Sequence, residues 1–220
     1  MNFASRWSSF LVSKLSLATS KTSKLLFILA ASLSACTAPQ PIGVETAQAA
    51  LLTAWQADQY IVWEIDWPAA PVGGPLTVAT WRAGPRYRLE ILEAVAPDLV
   101  GQTLIFDGVT AWGYQRFDSP PVVPQPVEAH LSPVTDAFAI VTRLLDATPI
   151  SATQEATQVG REPAQKITLT FSAGDSLTLW RDEATGLPVR LNFVAGRQQA
   201  TLRARSFEPL SNPPQGLFEP

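Results

Sequence analysis

The strongest constraint on the fold is an alternation of apolar and polar side chains that returns many times along the chain. Within residues 60–67, Ile61, Trp63, Ile65 and Trp67 alternate with more polar neighbours, as expected of a strand with one buried face. Further segments of strand character are 76–81, 86–93, 102–107, 110–116, 166–171, 177–181, 187–194 and 198–207. Short connections such as Asp107-Gly108 separate many of them, which predicts two antiparallel meanders.

The same alternation assigns side chains to faces of the predicted sheet. Tyr87, Leu89 and Ile91 point one way, while Arg88 and Glu90 point the other. Which of the two faces is concave stays open, because a slip of one residue in the pairing exchanges them.

Two segments have helical spacing instead. Residues Glu45 to Asp58 place Ala47, Leu51, Ala54 and Trp55 on one face, which predicts a packing helix. A second helix is predicted from Ser132-Pro133 to Asp146, with a wide apolar face formed by Val134, Ala137, Phe138, Val141, Leu144 and Leu145. A Pro-rich linker, residues 117–131, precedes it and has too few backbone donors for the interior of a sheet. The fold class is therefore α+β, with one antiparallel sheet and two helices.

The first 36 residues have the order of an export signal. A segment with Arg6, Lys14, Lys21 and Lys24 but no acidic residue is followed by the apolar run 25–33 and then by Leu33-Ser34-Ala35-Cys36. The run from Leu25 to Ala35 has 11 residues, whereas a helix needs about 20 to span a bilayer. Leu-Ser-Ala-Cys resembles the lipobox of bacterial lipoproteins. That resemblance implies cleavage before Cys36 and acylation of its thiol, so residues 1–35 are interpreted as a lipoprotein signal peptide.

The mature chain would consist of a lipidated tether, residues 36–44, and a single domain, residues 45–220. It carries 12 Lys+Arg against 19 Asp+Glu, a net charge of −7, because four of the 16 basic residues lie in the signal. An acidic domain disfavours binding to nucleic acid or to anionic lipid head groups. Membrane attachment is therefore expected through acyl chains on Cys36. Cys36 is the only cysteine, so we expect a monomer without disulfides.

Three segments together resemble the LolA-like lipoprotein-carrier family. Leu104–Tyr114 (LIFDGVTAWGY) resembles its DGxxxWxY hairpin, Leu179–Pro188 (LWRDEATGLP) its later TGLP turn, and Asn212–Phe218 (NPPQGLF) its C-terminal end. The resemblance covers residues from about 45 to 220. Two features depart from it: Gly84 stands before Pro85 where the soluble carrier has a lid-binding arginine, and this chain has an anchor, like the membrane-bound acceptor LolB. The acceptor also has a protruding apolar loop, and Val72 in the Pro/Gly-rich loop of this chain is a poor counterpart of it.

The resemblance implies a strongly curved, unclosed β-barrel with a helical lid over an apolar cavity for acyl chains of lipids or lipoproteins. The candidate cavity residues are Trp63, Leu89, Ile91, Phe106, Trp112, Phe138, Val141, Leu169 and Leu191. For the aromatic residues among them, a purely structural role in the core is equally compatible with the composition. The implied role is lipid or lipoprotein transport, or maintenance of the cell envelope, at an exported membrane-anchored location. Whether the membrane is the inner or the outer one stays open.

Catalysis receives no support from the sequence. His130 is the only histidine and lies in the Pro-rich linker. No G-x-S-x-G motif, phosphate-binding Gly-rich loop or metal-ligand spacing is present, so we expect no enzyme, no cofactor and no metal. The alternatives to a lipid-binding role are a signalling module like the RseB-type regulators, which bind a protein partner with a similar fold, and a purely structural envelope protein.

Overall fold

The structure, a computed structural model, describes residues 38–69, 74–115, 125–126 and 133–219. All of them belong to one unit of the chain, Ala35–Pro220. The predicted signal peptide (residues 1–35), Cys36, Val72, Ser132 and nearly all of the Pro-rich linker, with His130, lie outside the described residues.

Twelve strands and two α-helices follow one another along the described chain. The strands are β1 (Gln40–Pro41), β2 (Gln59–Asp66), β3 (Leu76–Ala83), β4 (Arg86–Glu93), β5 (Gln102–Phe106), β6 (Ala111–Gln115), β7 (Gln125–Pro126), β8 (Ser151–Val159), β9 (Glu162–Thr170), β10 (Ser176–Asp182), β11 (Pro188–Ala195) and β12 (Gln198–Pro209). The helices are α1 (Val44–Gln56) and α2 (Pro133–Asp146), and short 3₁₀ turns occur at Pro97–Leu99 and Ser172–Gly174.

The strands form one antiparallel sheet in the order β1-β8-β9-β10-β11-β12-β2-β3-β4-β5-β6-β7. The last strand lies beside β2, with Leu202 opposite Ile65 and Ala204 opposite Trp63, and this pairing joins the two meanders. The edge strands β1 and β7 do not pair with each other, so the sheet is unclosed. The predicted unclosed antiparallel sheet with two helices is confirmed.

One face of the sheet, which we call the inner face, carries the main core. Ile61, Trp63 and Ile65 of β2 lie on it at 0 to 1% exposure, and the cross-strand register continues the same face through Leu202 and Leu191 to Leu179 and Leu169. Successive side chains of a strand point to opposite faces, so the alternation of the sequence becomes a continuous apolar layer.

Both helices pack on part of this inner face. Helix α1 buries Ala47, Leu51, Ala54 and Trp55, the four residues predicted for its apolar face. Helix α2 buries Ala137, Val141, Leu144 and Leu145. Contacts of α1 with β8 and β9, and of α2 with β10, place the helices over the second meander. The inner face of β4, β5 and β6 is left less covered.

The opposite, outer face carries a second, smaller cluster. Ala83, Ile105 and Phe218 are buried there, and Trp81, Leu210 and Leu217 pack against them. The guanidinium of Arg86 lies 5.0 Å from the centroid of the Phe218 ring. The C-terminal segment therefore packs against β3, β4 and β5 from outside.

The sequence did not predict β1, β7 and β8, and the reasons differ. β8 has the sequence SATQEATQV, whose mostly polar positions give no apolar alternation. β1 and β7 are two residues long and each contains a proline, which is tolerated because both lie at sheet edges. Neither described helix is long and apolar enough to cross a membrane.

Candidate functional site

A cavity of about 780 Å³ lies between the two helices and the inner face of β3 to β6. Its apolar lining consists of Trp55, Trp63, Trp81, Pro85, Leu89, Leu104, Phe106, Ala111, Phe138 and Ala139. Polar or charged residues also line it: Gln59, Thr80, Arg82, Tyr87, Asp136, Thr142, Arg143 and Asp146. Elements that are far apart in the sequence thus meet around one space.

Small residues on β6 make room for this cavity. Cross-strand pairing places Gly113 opposite Leu104 and Ala111 opposite Phe106 on the inner face. Since glycine and alanine project almost nothing from the sheet, the space that a large side chain would take stays empty. The helices pack over β8, β9 and β10, and so they do not fill this end either.

Aromatic contacts shape the two sides of the cavity. The rings of Trp55 in α1 and Phe138 in α2 stack with centroids 5.5 Å apart and an interplanar angle of 26°. On the sheet, Tyr87 of β4 stacks on Phe106 of β5 at 5.2 Å and 28°. Stacked aromatic pairs at such distances are favourable beyond their burial, so the walls are held by specific contacts.

The sheet side of the cavity has a polar end. Gln59, Arg82 and Tyr87 stand opposite one another on β2, β3 and β4. Gln59 is 6% exposed and donates from Nε2 to the carbonyl oxygen of Trp55 at 3.2 Å. Arg82 donates from Nη1 to the same oxygen at 3.5 Å.

Burial affects both ionisable groups of this polar end. Burial lowers the pKa of the Arg82 guanidinium, and the neighbouring Tyr87 and Asp58 oppose this shift. Burial raises the pKa of the Tyr87 hydroxyl, with Arg82 opposing. At neutral pH arginine stays charged and the tyrosine stays neutral, so this end presents one half-buried positive charge.

The third boundary of the cavity is the flank of α2 beside its buried face. Asp136, Thr142, Arg143 and Asp146 lie on this flank and are more exposed than the core residues. The rim formed by α2 is therefore polar and carries both signs of charge. Within the described residues, no group of three or more His, Cys, Asp or Glu side chains is placed to hold a metal ion.

The structure brings together four of the nine candidate cavity residues. Trp63, Leu89, Phe106 and Phe138 line the cavity. Ile91, Val141, Leu169 and Leu191 are at most 4% exposed and belong to the main core. Trp112 was expected on the cavity side but pairs with Ile105 on the outer face. Whether the four lining residues contact a ligand stays a prediction.

Several lining residues were absent from the candidates inferred from sequence. Trp55 was expected only as a packing residue of α1, while Leu104, Arg82 and Tyr87 were not singled out as cavity residues. The two-residue period gave a usable signal, because Leu104 shares its face with Phe106, and Tyr87 shares its face with Leu89. No local pattern indicates that Arg82 and Gln59 meet at this cavity.

No family model matches the sequence, and no curated protein matches it. Among solved structures, an uncharacterized conserved protein from Thermus thermophilus is 13% identical, with a TM-score of 0.50, over 80% of this chain and 92% of that one. MucB is 12% identical, with a TM-score of 0.51, over 80% of this chain and 62% of that one. The LolA superfamily protein NE2245 from Nitrosomonas europaea is 11% identical, with a TM-score of 0.38, over 81% of this chain and 98% of that one.

At these identities the likeness concerns the fold alone. At that level, the chain shares its fold with the Thermus thermophilus protein and with the matched part of MucB. The chain spans less than two thirds of the MucB chain, and what MucB does as a whole does not transfer with the fold.

Proposed function

We propose that this protein is an exported, membrane-anchored lipoprotein that binds acyl chains of lipids or lipoproteins in the cavity between its helices and β3 to β6. Its role would be in lipid or lipoprotein transport or in envelope maintenance. The observation that carries the proposal is the cavity itself, about 780 Å³ with an aromatic and aliphatic wall. Sites for small molecules in proteins typically have about 300–1,000 Å³ and a mostly apolar lining.

An acyl chain suits this wall on energetic grounds. Withdrawing each methylene group from water contributes about 0.8 kcal/mol, and the wall offers rings and branched side chains for it to contact. Trp55 already stacks on Phe138, and Tyr87 on Phe106, on two sides of the space. Their contacts hold the walls without ligand, so little ordering of side chains is needed on binding.

The anchor is proposed from sequence, because Cys36 lies outside the described residues. A domain of net charge −7, with 12 basic and 19 acidic residues after position 35, has no electrostatic attraction to anionic membranes. Acyl groups on Cys36 would then hold the domain at the membrane. A non-catalytic role is proposed from the sequence, which has no catalytic motif.

The second candidate is a regulator that binds a protein partner. It is favoured by the end of β4 and the connection that follows it, where Leu92, Val95 and Val100 are 39%, 64% and 40% exposed. Apolar side chains gathered on one surface segment are typical of interaction sites. This candidate is second because a protein partner bound to the outside of this segment would leave the cavity without a role.

The test of the proposed function is titration of residues 37–220 with a fluorescent fatty acid. Wild-type protein is expected to bind with saturable enhancement of the probe and quenching of Trp55 and Trp63, which line the cavity. Phe138→Asp should weaken binding about 10-fold or more, since the charge would have to be desolvated by the acyl chain. Ile150→Asp is the matched control, because Ile150 is 68% exposed and does not line the cavity.

The comparison of the two variants decides the result. Binding lost in Phe138→Asp and kept in Ile150→Asp, with both proteins folded, supports the proposal. Absence of saturable binding to wild type, or equal binding by all three proteins, would contradict a cavity that takes acyl chains.

A further inference from the structure

The polar end of the cavity contains two buried atoms that no other described residue satisfies. Gln59 Oε1, a hydrogen-bond acceptor, and Arg82 Nε, a donor, are both without a hydrogen-bond partner. Buried polar groups in proteins are nearly always hydrogen-bonded, and an unsatisfied one requires an explanation. Two of them meet at the same end of one cavity.

The two atoms belong to side chains that stand directly opposite each other. Gln59 of β2 pairs with Arg82 of β3 in the sheet, and both side chains line the cavity. Gln59 is 6% exposed, and its amide is oriented by the bond from Nε2 to the carbonyl oxygen of Trp55. The unpartnered oxygen is therefore fixed in place rather than free to turn into solvent.

The guanidinium of Arg82 also makes few of the hydrogen bonds that it could donate. Of its five N–H donors, one makes a long bond of 3.5 Å to the carbonyl oxygen of Trp55. No carboxylate of the described residues lies within ion-pair distance of it, since the ion pairs found there involve Arg88, Lys166 and Arg205. The nearby Asp58 accepts a hydrogen bond from the backbone of Gly84 instead.

Arg82 is a positive charge at the cavity that forms no ion pair with any described residue, and this points to a ligand that supplies an anionic partner. We propose that the Gln59–Arg82 end of the cavity binds the anionic head group of an acyl-chain ligand, with the chain lying along the apolar wall. This inference rests on the proposed function and narrows its ligands to anionic amphiphiles. The anionic oxygen bonds to Arg82, and a hydroxyl on the same head group satisfies Gln59 Oε1.

The geometry favours this orientation of the ligand over the reverse one. The rim formed by α2 carries Asp136 and Asp146 beside Arg143, and this mixture gives no net attraction to an anion. Arg82 lies on the sheet side, with Phe106 and Leu89 following it along the inner face. In this orientation the anionic head group lies against the polar end of the cavity, and the acyl chain lies against the apolar wall.

The test compares three probes with one chain: oleate, oleyl phosphate and oleyl alcohol. Their dissociation constants are measured on residues 37–220 by calorimetry below the critical micelle concentration. Because hydrogen bonds to a charged group are the stronger kind, at least one anionic probe should bind wild type about 10-fold tighter than the alcohol. The order of oleate and oleyl phosphate then distinguishes a carboxylate from a phosphate head group.

Arg82→Met should remove this preference and leave the affinity for oleyl alcohol within about twofold, because the apolar wall is unchanged. If Arg82→Met does not fold, Arg82→Gln is measured in its place. Arg82→Lys should keep part of the preference for anionic probes. Arg88→Met is the control, since Arg88 belongs to the neighbouring strand and pairs with Glu90 on the outer face.

The outcomes separate this inference from the proposed function. Equal affinities of wild type for all three probes would overturn the anionic head-group site and leave acyl binding standing. Equal weakening of all three probes in Arg82→Met would also overturn it, since Arg82 would then be structural. Failure of every probe to bind wild type would contradict the proposed function and the inference together.

Discussion

Gln48 of α1 donates from Nε2 to the carbonyl oxygen of Leu145 near the end of α2, at 2.5 Å. The same nitrogen donates to the carbonyl oxygen of Ala147 at 3.0 Å. The last carbonyls of a helix have no partner inside the helix, so this one side chain satisfies one of them, at Leu145, and also the carbonyl that follows the helix end, at Ala147. The C-terminal end of α2 is thereby tied to α1, while Trp55 and Phe138 hold the helices together further along.

The first prediction concerns this link. Gln48→Ala should lower the free energy of unfolding by about 1–3 kcal/mol, because two hydrogen bonds are lost and partly buried carbonyls are left unsatisfied. The measurement is urea unfolding of residues 37–220. Thr53→Ala is the control, since Thr53 is exposed and bonds only within α1, to the carbonyl of Ala49. A Gln48→Ala protein as stable as the control would contradict the role assigned to Gln48.

The second prediction is that α2 is a lid that moves for ligand uptake. Cysteines at Ala139 on α2 and Ala111 on β6, both lining the cavity, are joined by a short reducible linker. The locked protein should take up fluorescent fatty acid much more slowly, and reduction should restore the rate. The chain after Cys36 has no other cysteine, so the linker has no competing site.

The controls are two single-cysteine variants, each carrying the linker at one end only. They show whether the linker slows uptake simply by obstructing the cavity. If the locked protein takes up the probe as fast as the reduced one, α2 is not a lid.

The third prediction is acylation of Cys36. Cys36→Ala should abolish incorporation of labelled fatty acid and shift the protein from the membrane fraction to the soluble one, because the acyl groups are the proposed anchor. The full chain is expressed with its signal for this measurement. Labelling that persists in Cys36→Ala would end the lipoprotein hypothesis.

The fourth prediction is a pH dependence that arises at Glu93. The hydroxyl of Thr77 donates to Glu93 Oε2 at 2.6 Å, and Arg205 Nη1 donates to the same oxygen at 2.8 Å. These bonds hold the pKa of the Glu93 carboxyl below its ordinary value of 4.5. The stabilisation is present above the unfolded pKa and is lost as pH falls through the lower, folded one.

Glu93→Gln should accordingly flatten the acid limb of a Tm profile recorded from about pH 7 to pH 3. Glu183→Gln, which replaces an exposed carboxylate in the turn before β11, should keep the wild-type limb. Superimposable acid limbs for Glu93→Gln and wild type would show that these hydrogen bonds do not stabilise the protein.

How far the sequence predicts this structure depends on the range of the interaction. The period of two assigned Tyr87, Leu89 and Ile91 to one face and Arg88 and Glu90 to the other, as observed, because that period is local. Helical spacing likewise identified the buried residues of α1. The pairing of β12 with β2 has no local signature, because it joins segments far apart in the sequence.

Trp112 shows why the site itself was harder to predict. The connection after β5 sets the register so that Phe106 faces Ala111 and Ile105 faces Trp112, and one residue more or fewer would have reversed the face. Leu169 and Leu191 lie away from the cavity for another reason. They lie on the inner face as expected, but the helices fill that part of it, and no pattern in the strands indicates where a helix will pack.

The central claim is that the cavity holds acyl chains, and the most direct test is to identify what the native protein carries. The full chain is expressed in its own host, released from the membrane and washed, and the bound lipid is extracted and analysed by mass spectrometry. The account predicts an acyl lipid in about stoichiometric amount in wild type, and its depletion in Phe138→Asp, because the cavity wall contains Phe138. Wild-type protein without bound acyl lipid, or equal lipid in wild type and Phe138→Asp, would contradict it.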